Sequence, residues 1–151
     1  MSHQIILPRV MHTGKGASQR VAETLKGLNC HKPLLVTDKV MVELGYSAAI
    51  VQVLEEAGIS ADVFSDTVPE PTVRSIYRGV DAFKTHAYDS IIALGGGSPI
   101  DSAKAIAILC KYGGEMRDYK FPRVVDEAGL PIIAIPTTAG TGSEATRFTI
   151  I

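Results

Sequence analysis

The sequence predicts an α/β protein whose parallel sheet is covered by helices on both faces. Short apolar runs alternate along the chain with segments that repeat apolar residues at helical spacing. The apolar runs are continuous, which is typical of strands buried on both faces rather than on one. Three consecutive glycines stand between one of these strands and the helix that follows. These observations together predict the class.

In the first half of the chain, strands and helices alternate from the start. Pro8 lies within the first apolar run, so we expect an edge strand there, because proline cannot donate to a sheet ladder. Gly58 closes a helical pattern, as glycine often does. The predicted order is strand, helix, strand, helix, strand, at residues 5–10, 18–28, 33–37, 47–57 and 59–64.

The second half continues the alternation after the turn "PEPT" at residues 69–72. Thr72 is the expected N-cap of a helix that places Val73, Ile76, Val80 and Phe83 inward. The segment 113–129 has no clear period, and its length predicts a functional or partner-facing loop. The remaining predictions are a strand at 90–94, a helix at 99–111 and a strand at 130–135.

The length, charge and composition of the chain limit the class of protein to which it can belong. A chain of 151 residues predicts one domain. The net charge of −1 argues against a nucleic-acid surface, and the apolar runs are too short to span a membrane. The N-terminus lacks the charged and apolar regions of a signal peptide, so we expect a cytoplasmic protein. Cys30 and Cys110 are interpreted as free thiols.

The stretch "SIIALGGGSPIDSAKAIAIL" at 90–109 is the most informative one. Gly95, Gly96 and Gly97 remove side chains, so that backbone amides can touch a ligand at the start of a helix, where phosphate is the expected guest. Ser98 at the N-cap, Pro99 at the first position and Asp101 at the third would begin that helix.

A purely structural interpretation of this stretch stays open. Ser98 and Asp101 could simply cap a helix, and Lys104 could simply be solvated. A Walker A loop is excluded, because no Gly-Lys-Ser/Thr stands at the required offset.

Asp38 is a second candidate, because it follows a strand. Dinucleotide folds place a carboxylate there on the adenine ribose hydroxyls, where it would also repel the 2′-phosphate of NADP. A helix or turn cap before "KVMVEL" explains its position equally well.

The turn "PTTAGTGSEA" at 136–145 is the third candidate. It contains a Gly-x-Gly-x-x-Ala match, but the strand and acidic residue that a dinucleotide fingerprint requires further along do not follow. We interpret it as a hydroxyl-rich loop in which Thr137, Thr138 and Thr141 donate to ribose or phosphate oxygens. The four histidines do not cluster, so neither a metal site nor a nucleophilic triad is predicted.

Two long motifs carry a family resemblance. "GGGSPIDSAKAIA" at 95–107 followed by "IPTTAGTGSEAT" at 135–146 resembles the iron-containing alcohol dehydrogenases. "VTD" at 36–38, "PEPT" at 69–72 and the Gly-Lys-Gly at 14–16 fit as well. The resemblance implies a Rossmann-like domain of the dehydroquinate synthase-like kind, and it covers only the N-terminal half of a family member.

The resemblance also implies roles for individual residues. Gly96, Gly97 and Ser98 match the pyrophosphate loop, and Asp101 matches a residue near the nicotinamide ribose. The threonines match a loop on the adenine nucleotide, and Phe148 lies in the adjoining stretch that lines the cofactor cleft. The predicted cofactor-binding residues are therefore Asp38, Gly95, Gly96, Gly97, Ser98, Asp101, Thr137, Thr138, Thr141 and Phe148.

In this family a second, all-helical half holds Fe²⁺ or Zn²⁺ with one Asp and three His. The resemblance therefore implies no catalytic residue and no metal ligand within residues 1–151, which would form the NAD(P)-binding domain. Family members often have Asn where Glu70 stands, and they dimerise partly through N-terminal strands, which would suit residues 5–10 in a homodimer or larger homo-oligomer.

The function that this implies is the cofactor-binding half of an enzyme that interconverts a primary alcohol and its aldehyde. NAD is expected rather than NADP, and the 151-residue chain alone is expected to be inactive. A stand-alone nucleotide-binding or oligomerisation module without activity is the alternative. A third option, the phosphate-linked chemistry of glycerol-phosphate dehydrogenase or dehydroquinate synthase relatives, is less favoured by "PTTAGTGSE".

Overall fold

A computed structural model describes residues 8–125, 127–146 and 149–151. Its centre is a four-stranded parallel sheet in the order β2-β1-β3-β4. The registers pair Leu35 with Val63 and with Ile92, and Ala93 with Ala134. The strands are β1 (Pro33–Val36), β2 (Asp62–Phe64), β3 (Ser90–Gly95) and β4 (Ile132–Pro136).

Helices connect consecutive strands. Thr72 and Ser75 form a capping box at the start of α4, as the sequence predicts for Thr72. Of the helices that the described residues form, none is long and apolar enough to cross a membrane. The helices are α1 (Val21–Gly27), α2 (Lys39–Glu43), α3 (Tyr46–Glu56), α4 (Val73–Lys84) and α5 (Gly97–Tyr112).

The sheet divides the interior into two apolar clusters, because alternate strand residues point to opposite faces. Leu34 and Ile91 face the cluster that contains α4 and α5, whereas Leu35 and Ile92 face the cluster that contains α1 and α3. All four side chains are at most 2% exposed. The structure therefore confirms the predicted class, a parallel α/β sheet with helices on both faces.

Several predicted elements differ in extent. Residues 17–20 form a 3₁₀ helix before α1, and a further one, Met116–Tyr119, lies in the predicted loop at 113–129. The strand predicted at 59–64 begins only at Asp62, because earlier residues of that run do not pair with β1. Of the edge strand predicted at 5–10, residues 5–7 lie outside the described part, and residues 8–10 are not a strand.

Asp89 joins the amino ends of two strands. Its carboxylate accepts hydrogen bonds from His31 N at 2.6 Å, from Lys32 N at 3.1 Å and from Ser90 Oγ at 2.8 Å. Burial raises the pKa of this carboxyl, but the hydrogen bonds from His31, Ser90 and Lys32 together outweigh burial, so that the net shift is downward from 3.8. Asp89 is therefore expected to stabilise the fold only while it is ionised.

We expect Asp89→Asn to lower the free energy of unfolding by about 1–2 kcal/mol at pH 7, because a charged acceptor is lost. A lowered folded-state pKa contributes stability that is complete above the ordinary value of 3.8 and disappears as the pH falls through the folded value. Urea unfolding of both proteins between pH 7 and pH 3 checks this. A gap between them that does not close with falling pH would contradict it.

Candidate functional site

The candidate site lies at the carboxyl edge of the sheet, between β1 and β3. The chain goes from β1 to its neighbour β2 on one side and then crosses to β3 on the other. The loops that follow β1 and β3 therefore leave in opposite directions, which opens a crevice at this point of the sheet. Asp38 follows β1 by two residues, and Gly95 ends β3. The topology thus brings two predicted site segments to one crevice.

The three glycines form a tight junction between β3 and α5. Gly95 has φ +140°, and a Cβ on it would lie 2.7 Å from Pro99 Cγ, so only glycine fits without movement. Gly96 is the N-cap, with φ −78°. The first amides of a helix have no partner within it, so those of α5 are available to an acceptor in the crevice.

The start predicted for α5 is wrong by two residues. Ser98 is not the N-cap and Asp101 is not in the first turn, because α5 begins at Gly97. The cause is the turn at Gly95, which already directs the chain into the helix within the glycine run. Pro99 is compatible with this earlier start, because a backbone N–H in the first turn has no acceptor within the helix and its absence in proline breaks no helical hydrogen bond.

The turn after β4 packs against the glycine run. A Cβ on Gly96 would lie 3.1 Å from Thr138 Oγ1, and a Cβ on Gly97 would lie 3.3 Å from Ser143 Oγ and 3.4 Å from Thr141 Cβ. Thr138 and Thr141 are exposed, so their hydroxyl groups can reach a ligand. Threonine and serine side chains therefore face the glycine backbone directly, and the two sides form a narrow cradle that a side chain at either glycine would crowd.

Hydrogen bonds from backbone and threonine groups connect the strand ends that carry this cradle. Thr137 N donates to Gly95 O at 2.9 Å, which joins the ends of β4 and β3. The buried Thr37 donates its hydroxyl to Leu94 O at 2.8 Å, and Thr67 donates to Thr37 O at 2.7 Å. The residues predicted from the sequence did not include Thr37, Thr67 or Ser143. A hydroxyl residue directly after an apolar strand was the available signal for Thr37.

Asp38 caps α2, which was one of its two open interpretations. Its Oδ1 accepts from Met41 N at 2.9 Å. Its other oxygen, Oδ2, lies 3.4 Å from the Cβ position of Gly95, so the same carboxylate also faces the glycine run. The cap occupies one oxygen and does not remove the carboxylate from the crevice.

A cleft of about 500 Å³ lies next to the start of α5. Its lining includes Gly97, Ser98 and Asp101 from the start of α5, and Glu70 from the turn before α4. Glu70 has φ +54°, a left-handed conformation that Asn adopts with less strain than Glu. Ile150 and Ile151 complete the lining.

Asp101 and Lys104 form a largely buried ion pair, with Nζ and Oδ1 3.4 Å apart. Their side chains are only 12% and 15% exposed, so the interpretation of Lys104 as solvated is wrong.

Phe148, the last of the predicted cofactor residues, lies outside the described residues.

The described residues do not fit a metal ion. Within residues 8–125, 127–146 and 149–151, no group of three His, Cys, Asp or Glu side chains lies close enough to hold one. His12 contacts Thr24 and His31 contacts Asn29, so these two rings lie apart in small polar contacts.

Fold and site together define a Rossmann-like α/β domain with a glycine-lined cradle at its switch point. The family model described as "Iron-containing alcohol dehydrogenase" matches residues 8–151. The chain belongs to this family, as its two long motifs predict.

Individual relatives agree with the family. The chain is 39% identical over 145 residues to "Alcohol dehydrogenase 4" of Saccharomyces cerevisiae strain YJM789, covering 96% of this chain and 38% of that protein. It superposes on a crystal structure of 1,3-propanediol oxidoreductase with a TM-score of 0.93 and 34% identity, over 97% of this chain and 38% of that one.

A second similar structure carries a ligand. Sulfoacetaldehyde reductase from Bifidobacterium kashiwanohense, in complex with NAD⁺, matches with a TM-score of 0.86 and 31% identity, over 97% of this chain and 39% of that one. The present chain thus spans less than two fifths of the length of each of these proteins.

Proposed function

We propose that residues 1–151 form the NAD-binding domain of an alcohol dehydrogenase. The observation that carries the proposal is the cradle in which Gly96 and Gly97 face Thr138, Thr141 and Ser143 so closely that a Cβ on either glycine would be crowded. A dinucleotide pyrophosphate suits this place, because helix amides, backbone and hydroxyl donors converge on one point at the switch of the sheet. The NAD⁺ complex of the sulfoacetaldehyde reductase supports the choice of ligand.

Several of the predicted residues have a physical role in this proposal. The amides of Gly97 and Ser98 donate to pyrophosphate oxygens, and Asp38 accepts from the adenine ribose hydroxyls. The hydroxyl groups of Thr138 and Thr141 donate from the opposite wall, and Thr137 stands beside them at the end of β4. Bound nicotinamide supplies hydride transfer, while these residues orient the dinucleotide.

The reaction of the whole protein belongs to the proposal as well. We infer the interconversion of a primary alcohol and its aldehyde, supported by the names of the relatives, which include a propanediol oxidoreductase and an aldehyde reductase. Since the described residues fit no metal ion, the Fe²⁺ or Zn²⁺ would belong to a second, helical domain of the whole protein. We further propose that the whole protein is a homo-oligomer and that it is located in the cytoplasm.

Calorimetry and a turnover assay test this function. The full natural protein, supplied with Fe²⁺ or Zn²⁺, is expected to bind NAD and to reduce it when a primary alcohol such as 1,3-propanediol is added. The 151-residue chain by itself is expected to bind NAD weakly and to turn over no alcohol. Absence of NAD binding by the full protein, or alcohol oxidation by the 151-residue chain alone, would refute the proposed division of roles.

A further inference from the structure

The end of the described chain returns to α5 and is held there by Asp101. Thr149 Oγ1 donates to Asp101 O at 2.8 Å, and Ile150 N donates to Asp101 Oδ2 at 3.3 Å. Asp101 is only 8% exposed, so water competes little for these bonds. One residue of the helix thus fixes two successive residues of the returning chain.

Lys104 lies nearly one turn further along α5 and contacts the same region. Its Nζ donates to Asp101 Oδ1 at 3.4 Å and to Thr146 Oγ1 at 3.2 Å. Burial lowers the pKa of Lys104, and the nearby carboxylates of Asp101 and Glu144 act in the opposite direction. The Asp101–Lys104 pair therefore touches the chain at Thr146 and again at Ile150.

These contacts determine one wall of the cleft. The turn before α4 contributes Glu70 and Pro71, and residues 150–151 line the cleft together with three residues of the first part of α5, which are Gly97, Ser98 and Asp101. Ile150 itself is 80% exposed, so apolar burial does not fix its position. Among the described residues, the hydrogen bonds from Thr149 and Ile150 to Asp101 hold this wall against α5.

The cleft and Asp38 lie at opposite ends of the glycine run. Asp38 faces Gly95, whereas Gly97, Ser98 and Asp101 line the cleft. A dinucleotide that crosses the run with its adenylate end near Asp38 therefore places its other half in the cleft. The wall at residues 149–151 would contact that other half only.

We propose that Asp101 and Lys104 are positioning residues, which hold residues 149–151 as a wall for the nicotinamide half of the cofactor. The inference rests on the proposed function. The family resemblance implies instead that Asp101 itself lies at the nicotinamide ribose. In the present inference Asp101 acts through residues 149–151. Both carboxylate oxygens of Asp101 already accept from protein donors, Oδ1 from Lys104 and Oδ2 from Ile150 N.

Thr149→Val tests this without changing Asp101. It removes one hydrogen bond to the Asp101 carbonyl and keeps the shape and branching of the side chain. In the full natural protein we expect the Kd for NAD to rise about three- to tenfold, the range for one hydrogen bond. The Kd for ADP should change less than twofold, because ADP does not reach the wall. Thr149→Ser should restore the NAD affinity.

Two further variants complete the experiment. Lys104→Met should weaken NAD selectively, as Thr149→Val does, whereas Lys111→Met at the exposed end of α5 should change neither affinity. Thermal melting of every variant shows that the domain is folded.

Three results would overturn the inference. If Thr149→Val leaves NAD binding unchanged while Asp101→Asn weakens it, Asp101 contacts the cofactor directly. If Thr149→Val weakens NAD and ADP equally, the bond supports the whole domain rather than one wall. If the unaltered protein binds neither NAD nor ADP, both this inference and the proposed function are wrong.

Discussion

Gly97→Val is expected to reduce the affinity for NAD about 100-fold, which corresponds to the loss of one or two charge-assisted hydrogen bonds. A Cβ at this position lies 3.3 Å from Ser143 Oγ and 3.4 Å from Thr141 Cβ. The two additional methyl groups of valine would fill the space where a pyrophosphate oxygen approaches the first amides of α5. Isothermal titration of the full natural protein with NAD measures the effect.

Gly27→Val is the matched control, because Gly27 also lies at a helix end, has no left-handed backbone and has no atom within 4 Å of its Cβ position. It should leave NAD binding unchanged. Gly97→Ala should give an intermediate loss, since one methyl group occupies less of the cradle. A folded Gly97→Val protein that binds NAD as well as the Gly27→Val protein would show that the cofactor does not lie in this cradle.

Asp38→Asn is expected to raise the affinity for NADP relative to NAD at least tenfold. A carboxylate beside the adenine ribose repels the 2′-phosphate of NADP, and placing like charges together costs several kcal/mol. Asparagine removes the charge but keeps an oxygen that can accept from Met41 N, so α2 should keep its cap. Titration with both nucleotides gives the ratio.

Asp38→Ala separates the two roles of this side chain. Loss of the cap should lower the free energy of unfolding by about 1 kcal/mol, the usual effect of an N-cap removal. Asp38→Asn should show almost none of this loss. If the ratio of NADP to NAD affinity stays constant in Asp38→Asn while Asp38→Ala is destabilised, then Asp38 is a helix cap only.

Local signals in the sequence were sufficient for most of the fold. Strand β3 and helix α5 were predicted from a continuous apolar run and a helical period, and the structure places them at Ser90–Gly95 and Gly97–Tyr112. The short helix α2 was not assigned, although a cap at Asp38 was considered. Its five residues are too few to show a period, and none of them is buried.

Prediction was least accurate where one residue type fits several positions. Ser98, Pro99 and Asp101 all suit a first turn, so their order suggested a helix start that the turn at Gly95 overrides. Lys104 illustrates a second limit, because a lysine on a helix is usually solvated. Its ammonium group donates to Asp101 and to Thr146, and the second of these lies far along the chain.

The sequence by itself determined the parallel α/β class, the glycine run at the end of β3 and membership of the iron-containing alcohol dehydrogenases. These follow from periodicity, glycine and long motifs, which are properties of neighbouring residues. Only the tertiary structure decided that Thr138, Thr141 and Ser143 close over the glycines, and that Asp101 holds Ile150. Those contacts join segments about forty to fifty residues apart, and it is the order of strands in the sheet that brings such segments to one edge.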